Sequence, residues 1–307
     1  MDFQTVINII SMGITAGTPL LFAALAGVIA ERSGVFNIGI EGFMLMGAIT
    51  AFSVAAVTQN KWMALLATLL ICGILGLLLA LLSVTLHVNQ IVVGIAYTIF
   101  LTGLSSVFGK PYLGKTAGDR FSKLFVSEDN NWIMQLLSKD ILVYIAIIVA
   151  ILLWIFIYKT KPGLHLRACG ESPDTIDSLG VNVFRIRYCT LVVSGMLAGL
   201  GGAYLSLSYT PMWTEGMSAG RGWLAIALIS FSMWNPVRAI ACSYLFGIVY
   251  ALSYKLEALG VPISSSILRM LPYMISLLSL VLVSIRFKKK GSIAPRACGT
   301  AYVREGK

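Results

Sequence analysis

The sequence predicts an all-α integral membrane protein: a polytopic bundle of about eight to ten transmembrane helices carrying a two-fold internal repeat. Three observations lead there. Apolar residues make up 58% of the chain and charged ones 12%, whereas soluble globular chains are near a quarter charged. Charge-free runs recur at lengths that cross a hydrocarbon core, which needs about 20 apolar residues. The basic residues gather beside the ends of those runs.

Taken in order, residues 3–30 carry no charge and form the first span. Met1-Asp2-Phe3-Gln4 is acidic where a cleaved leader has a basic n-region, so this span is expected to stay. Residues 42–60 form the second. The run 62–109 is long enough for two crossings, with a break at His87-Val88-Asn89-Gln90. Residues 141–158 and 188–214 follow, and further crossings are expected at 222–234, 237–254 and 262–285. The expectation is therefore nine spans in one membrane domain covering 1–307, with loops at 110–140 and 159–187 and a basic tail at 286–307.

The formal charge of +10 would suit nucleic acid, but its placement argues for orientation instead. With nine spans and the C-terminus inside, 14 of the 23 Lys and Arg residues fall on one side, as expected of a cytoplasmic face. The loop 159–187 and the tail are then inside, and the N-terminus and the loop 110–140 outside. No nucleic-acid partner is expected; the lipid bilayer is. Five scattered cysteines without a C-x-x-C read as reduced, structurally ordinary thiols.

Gly109–Thr116, GKPYLGKT, fits the phosphate-loop pattern G-x-x-x-x-G-K-[ST] letter for letter. That pattern works only where a strand delivers the turn and a helix start receives the phosphates. Here an apolar span precedes it and Ala117-Gly118-Asp119 continues a loop, so Lys115 reads as a solvated cation.

Small residues recur at four-residue spacing: Gly195 and Gly199, beside the stripe Ser194, Ala198, Gly202. Helices in lipid associate by close backbone approach, so these are packing residues. The Gly-rich segment 37–52 and the later Gln90-Ile91-Val92-Val93 parallel 220–235 and Arg269-Met270-Leu271-Pro272. Two halves with broken helices at a central pathway would follow, with Gly94 and Pro272 as the breaks.

Two segments carry chemistry. Glu41 lies at the start of the second span, where a carboxylate must face protein or water. Asn37 can cap that helix, and Glu41 one turn later favours the positive end of its dipole. Residues 170–180 read as one short helix: Ser172 at the N-cap, Pro173 at N1, Asp174 and Asp177 within, Gly180 just past the end. So short a helix needs a surface to pack on. Ile176 and Leu179 can share a face, with Val181 and Val183 extending it.

SGVFNIGIEGFMLMGAITAF, VNQIVVGIAYTIF, GLHLRACGESPDTIDSLGVNVFRIRY, SGMLAGLGGAYLSL and IAPRACGTAYVREGK together resemble the permease subunits of bacterial ATP-binding-cassette importers. The likeness is to the branched-chain amino acid and ribose branch, and within it most to nucleoside-type permeases that work with basic-membrane-lipoprotein-like binding proteins. The resemblance implies a multi-pass protein of the bacterial cytoplasmic membrane that binds no cofactor and leaves ATP to separate ATPase subunits. It further implies a second homologous permease and an extracytoplasmic solute-binding lipoprotein. By the same likeness Glu171, Ser172, Pro173, Asp174, Asp177 and Gly180 form the coupling helix that enters the ATPase. Asn37, Gly39, Glu41, Gly42, Gln90, Gly94 and Arg269 belong to helices that line the translocation path. Similar permeases carry a neutral residue where this chain has Arg269. The implied cargo is a purine nucleoside or a nucleoside-shaped solute such as riboflavin, with a simple sugar as the alternative.

An integral membrane enzyme is disfavoured, because His87 and His165 stand far apart and neither H-E-x-x-H nor G-x-S-x-G occurs. No catalytic, cofactor-binding or metal-ligating residue is expected. An ion-coupled secondary transporter usually needs carboxylates or histidines deep in its spans, and Glu41 is the lone candidate.

Overall fold

The computed structural model describes residues 3–116, 121–122, 124, 132–260, 264–290 and 294–303, apart from the side chains of 133, 269, 283 and 286–290. Among them the chain is almost wholly helical, with an isolated bridge between Thr116 and Met212. In chain order the helices are α1 (Phe3–Arg32), α2 (Ile40–Thr58), α3 (Lys61–Ala80), α4 (Gln90–Gly109), α5 (Trp132–Leu137) and α6 (Ile141–Lys159). They continue with α7 (Lys161–Glu171), α8 (Pro173–Ser178), α9 (Val183–Tyr204), α10 (Arg221–Phe231), α11 (Pro236–Ala258) and α12 (Ser265–Lys290). Single π turns prolong α3 to Thr85 and α9 to Tyr209.

Asparagines set four of the starts. Asn60, Asn89, Asn182 and Asn235 each accept backbone N–H bonds from the first turn of α3, α4, α9 and α11, satisfying amides that have no partner within the helix. The break at 87–90 falls as expected, and His87 there takes a positive φ of 51°.

Among the described residues, eight helices are long and apolar enough to cross a membrane. The expected crossing at 222–234 is the exception: α10 has only 11 residues, about 16 Å of rise. Ile229 lies beside Gly27 of α1, a few residues from the basic end of the bundle where Arg32, α7 and the tail 294–303 meet. Arg221, at the other terminus of α10, lies buried inside the bundle. Thus α10 is a half-length helix reaching the basic end from the interior. Gly220 permits this, turning the chain into the helix at φ 76°, a backbone state that glycine adopts without a Cβ penalty.

The repeat is real and inverted. α1 packs most heavily on α11, and α9 correspondingly on α3. Both contacts run antiparallel on glycines: Gly13 and Gly17 meet Ile248 and Tyr244, and Gly73 and Gly76 meet Met196 and Val192. α1 and α9 are also antiparallel to each other, since Ser33 bonds Thr190 while Gly201 touches Pro19. Units α1–α4 and α9–α12 are therefore the same arrangement turned over. Gly94 and Pro272, expected as breaks, lie within continuous helices; the irregular backbone sits instead just before Ile40 and Arg221. Helix starts also correct the register, pairing Gly39 with Gly220 and Gln90 with Ser265.

The small-residue stripe on α9 packs as expected. A Cβ on Gly199 would collide with the Cys72 Sγ at 2.5 Å, and one on Gly202 with the Met44 carbonyl oxygen at 1.8 Å, so both contacts require hydrogen at Cα.

Candidate functional site

The starts of α2 and α10 meet inside the bundle. Gly42 on α2 abuts Thr98 and Leu101 of α4, eight to eleven residues past the start of that helix, or about 12–16 Å deep. At this crossing the Glu41 carboxylate is buried and points away from its own helix. Oε1 accepts from Ser218 Oγ at 2.6 Å and Gly220 N at 2.9 Å, and Oε2 accepts from Gly222 N at 2.6 Å. Glu41 is thus the cap of α10, supplying negative charge where that helix presents free N–H groups and the positive end of its dipole. A Cβ on Gly222 would stand 2.5 Å from the Glu41 Cα, so glycine is what lets the two chains approach.

Asn37 does not cap α2. Its Oδ1 accepts from Gly39 N at 3.0 Å, and its Nδ2 donates to Ser194 Oγ, which donates to the Ala26 carbonyl. α2 itself begins at Gly39 without a side-chain cap. The two re-entrant loops are held in matching fashion: Thr98 Oγ1 on α4 donates to the Ile38 carbonyl, and Tyr273 OH on α12 donates to the Ala219 carbonyl. A Cβ on Gly94 would stand 2.7 Å from the Ile38 Cβ, so glycine lets α4 close on this loop.

Gln90 is drawn elsewhere. Its Oε1 accepts from Phe36 N at 2.8 Å and its Nε2 donates to the Thr300 carbonyl at 3.4 Å, which ties the basic end together. Arg269 lies on α12 one turn before Tyr273, and its side chain is outside the described residues. The crossing therefore brings Asn37, Gly39, Glu41, Gly42 and Gly94 together and leaves Gln90 apart.

Sequence reasoning missed the partners of this crossing, Ser218, Gly220 and Gly222. It also missed Arg221, buried beside them: its Nη1 donates to the Met217 and Ser218 carbonyls, and its guanidinium stands 5.3 Å from the rings of both Tyr209 and Tyr250. The signal was present in S-A-G-R-G, where two glycines bracket a cation inside a long apolar stretch. Tyr209 in turn lines a cleft of about 630 Å³ at the end away from α8, with Thr15, Phe121, Asp140, Ser208 and Tyr254.

At the basic end, Thr160 caps α7, which runs on through Gly170 and Glu171. The single helix expected over 170–180 is instead the end of α7 and a separate α8 that follows Ser172. Ser172 Oγ pairs with Thr175 Oγ1 at 2.7 Å rather than with a backbone amide, so the expected side-chain cap is absent. Asp174 sits exposed in the first turn, and Gly180 ends the segment at φ 80°. Ile176 is buried with Cys169 and Val183, beside Val181. Leu179 is 72% exposed, so it does not share the Ile176 face. Glu171, Asp174 and Leu179 all remain open to solvent. Burial pushes the Cys169 thiol above its ordinary pKa, and burial followed by the nearby Glu31 charge does the same for Cys298. Both stay protonated and poorly nucleophilic.

Gly109–Thr116 ends a helix instead of starting one. α4 runs to Gly109, a 3-10 turn covers Lys110–Tyr112, and Lys115 Nζ lies 5.5 Å from the Tyr112 ring. Trp213 fills the space at Gly109, where a Cβ would come within 2.1 Å of its indole nitrogen. No phosphate cradle exists in that arrangement.

The chain is 30% identical to the nucleoside ABC transporter permease NupC of Lactococcus lactis, covering 94% of each chain. It is 29% identical to the guanosine ABC transporter permease NupQ of Bacillus subtilis, covering 99% of each. A Haloferax volcanii protein provisionally named as a glucose ABC transporter permease is 31% identical, over 82% of this chain and 79% of its own. Residues 9–283 match the family described as branched-chain amino acid transport system / permease component, and the chain belongs to that family of multi-pass ABC transporter permeases.

Proposed function

We propose that this chain forms the translocation path of an ABC importer for a purine nucleoside or a nucleoside-shaped solute, powered by separate ATPase subunits. The observation that carries the substrate class is the near end-to-end likeness to the nucleoside and guanosine permeases, at 94–99% coverage of this chain. The transporter contains a second homologous permease and receives its cargo from an extracytoplasmic binding lipoprotein. α8 is the coupling helix, entering a groove on the ATPase with exposed Asp174 and Thr175 and with Leu179 just past its end, and the loop 159–187 lies in the bacterial cytoplasm.

The α2–α10 crossing is the central element of the path. Glu41 fastens it and does not bind solute, because both carboxylate oxygens are already engaged. The similarity to a protein named for glucose supports the second reading, a simple-sugar permease. Uptake of tritiated guanosine by vesicles carrying the complete transporter decides between them, with glucose and riboflavin as competitors. Guanosine accumulates only with ATP and binding protein, and excess glucose leaves it unchanged. Competition by glucose instead assigns the path to sugars, and guanosine uptake driven by an ion gradient without ATP removes the ABC reading.

A further inference from the structure

The tail repeats a motif. Arg167-Ala168-Cys169-Gly170 closes α7, and Arg296-Ala297-Cys298-Gly299 lies in the tail. The two copies touch: Ala297 N donates to the Gly170 carbonyl at 2.8 Å, and a Cβ on Gly170 would meet Pro295 at 3.2 Å and the Arg32 carbonyl oxygen at 2.3 Å.

From this seat the tail reaches three separate parts of the molecule. Toward α8, Tyr302 is buried in one apolar cluster with Ile176, Cys169 and Val183, its ring centroid 5.8 Å from that of Phe184. Toward the loop 33–39, Ala297 lies against Gly34, where a Cβ would meet it at 3.4 Å, and Gly299, held at φ 83°, packs directly on the Phe36 ring. Toward the helix starts, the Thr300 carbonyl accepts from both Gln90 Nε2 and Arg187 Nη1. Arg187 is itself buried, with its guanidinium 5.9 Å from the Tyr302 ring. The loop 33–39 leads straight into Asn37 and Glu41.

We propose that residues 295–302 are a strut carrying displacement of α8 to the loop 33–39, and so to the α2–α10 crossing, with Tyr302 as the positioning residue that fixes the strut to α8. This rests on reading α8 as the element that receives the ATPase. α8 has six residues, too few to stand as a helix unaided, so its position is set by what it packs on. Close-packed contacts transmit a shift instead of absorbing it. The tail supplies such contacts on both sides: an apolar anchor at Tyr302 and glycine-level contacts at Gly34 and Gly299. The ring is the part that counts, since what it fills is an apolar cluster.

The test uses the whole transporter, permease with ATPase and binding protein, in proteoliposomes, with guanosine as the transported probe. Tyr302→Ala is expected to retain ATPase on co-purification and to hydrolyse ATP, while guanosine moved per ATP falls about tenfold, within the span of ordinary coupling energies. Tyr302→Phe keeps the ring and restores the ratio. An unchanged ratio in Tyr302→Ala overturns the strut. So does loss of the ATPase from that complex, which makes the tail a docking surface, and so does failure of Tyr302→Phe to restore coupling. Absence of ATP-dependent guanosine uptake in the wild-type transporter brings down the parent reading and the strut with it; the variant outcomes bear on the strut alone.

Discussion

A carboxylate placed at the centre of an apolar helix costs about 2.5–3.5 kcal/mol to insert. Glu41 meets that cost with three bonds, two from backbone amides and one from Ser218. Hydrogen bonds to a charged group contribute about 1.5–3 kcal/mol each, so the clasp offsets insertion and leaves a surplus that holds α10 in place. Glu41→Ala removes the acceptor and strands three buried donors at about 1–3 kcal/mol apiece. The purified variant is expected to melt several degrees below wild type in detergent and to lose uptake. Glu41→Gln, which keeps one carbonyl oxygen, falls between the two. A wild-type melting curve for Glu41→Ala would show that the clasp contributes nothing. The charge itself was legible in the sequence, as a carboxylate at the edge of an apolar run. Its partner was not, because Ser218 stands 177 positions away and helix-start chemistry pointed to the local α2 instead.

At the scale of elements, local chemistry placed the long helices, missed the short α5 and α7 inside the expected loops, and misjudged α10. The loop helix α8 was readable because Pro173 and Gly180 act within a few residues of themselves. The shared face of Ile176 and Leu179 was wrong, since α8 ends at Ser178 and the helical spacing stops applying before Leu179. α10 was unreadable for another reason: the apolar composition of 222–234 is the same whether the helix starts at a membrane surface or halfway through, and only the Glu41 contact distinguishes the two. For α8 the proposed role makes two substitutions informative. Gly180 has open space around it but needs its positive φ; Gly180→Val strains that turn by about 1–2 kcal/mol, enough to redirect a helix of six residues. Asp174→Arg puts a cation in the first turn of the same helix, where the dipole disfavours it. Both variants are expected to insert normally and to lose guanosine uptake while ATP hydrolysis no longer responds to loaded binding protein. Uptake at the wild-type rate in both would take the coupling role away from α8.

For the molecule as a whole, the inverted repeat fixes how the ends are distributed. α1 runs toward the basic end and its counterpart α9 runs away from it, so each later element of one unit opposes its equivalent in the other. The contact between Ala297 and Gly170 is decisive for the count. α7 and the tail lie at the same end, so the chain between them must traverse the bundle an even number of times. α9, α11 and α12 give three passages, and the fourth is the segment 210–231, half re-entrant loop and half α10. Added to the eight candidate spans among the described residues, that segment makes a ninth passage that is only half helical, and Leu113 and Leu179, both well exposed, belong to opposite ends. On the proposed orientation, in which the end rich in Lys and Arg faces the cytoplasm, Leu179 lies inside. In a cysteine-free background, Leu113→Cys is expected to react with a membrane-impermeant maleimide in intact cells, and Leu179→Cys only after permeabilisation. Labelling of both from the same side would break the even count, and labelling in the reverse order would invert the orientation and take α8 away from any ATPase in the cytoplasm.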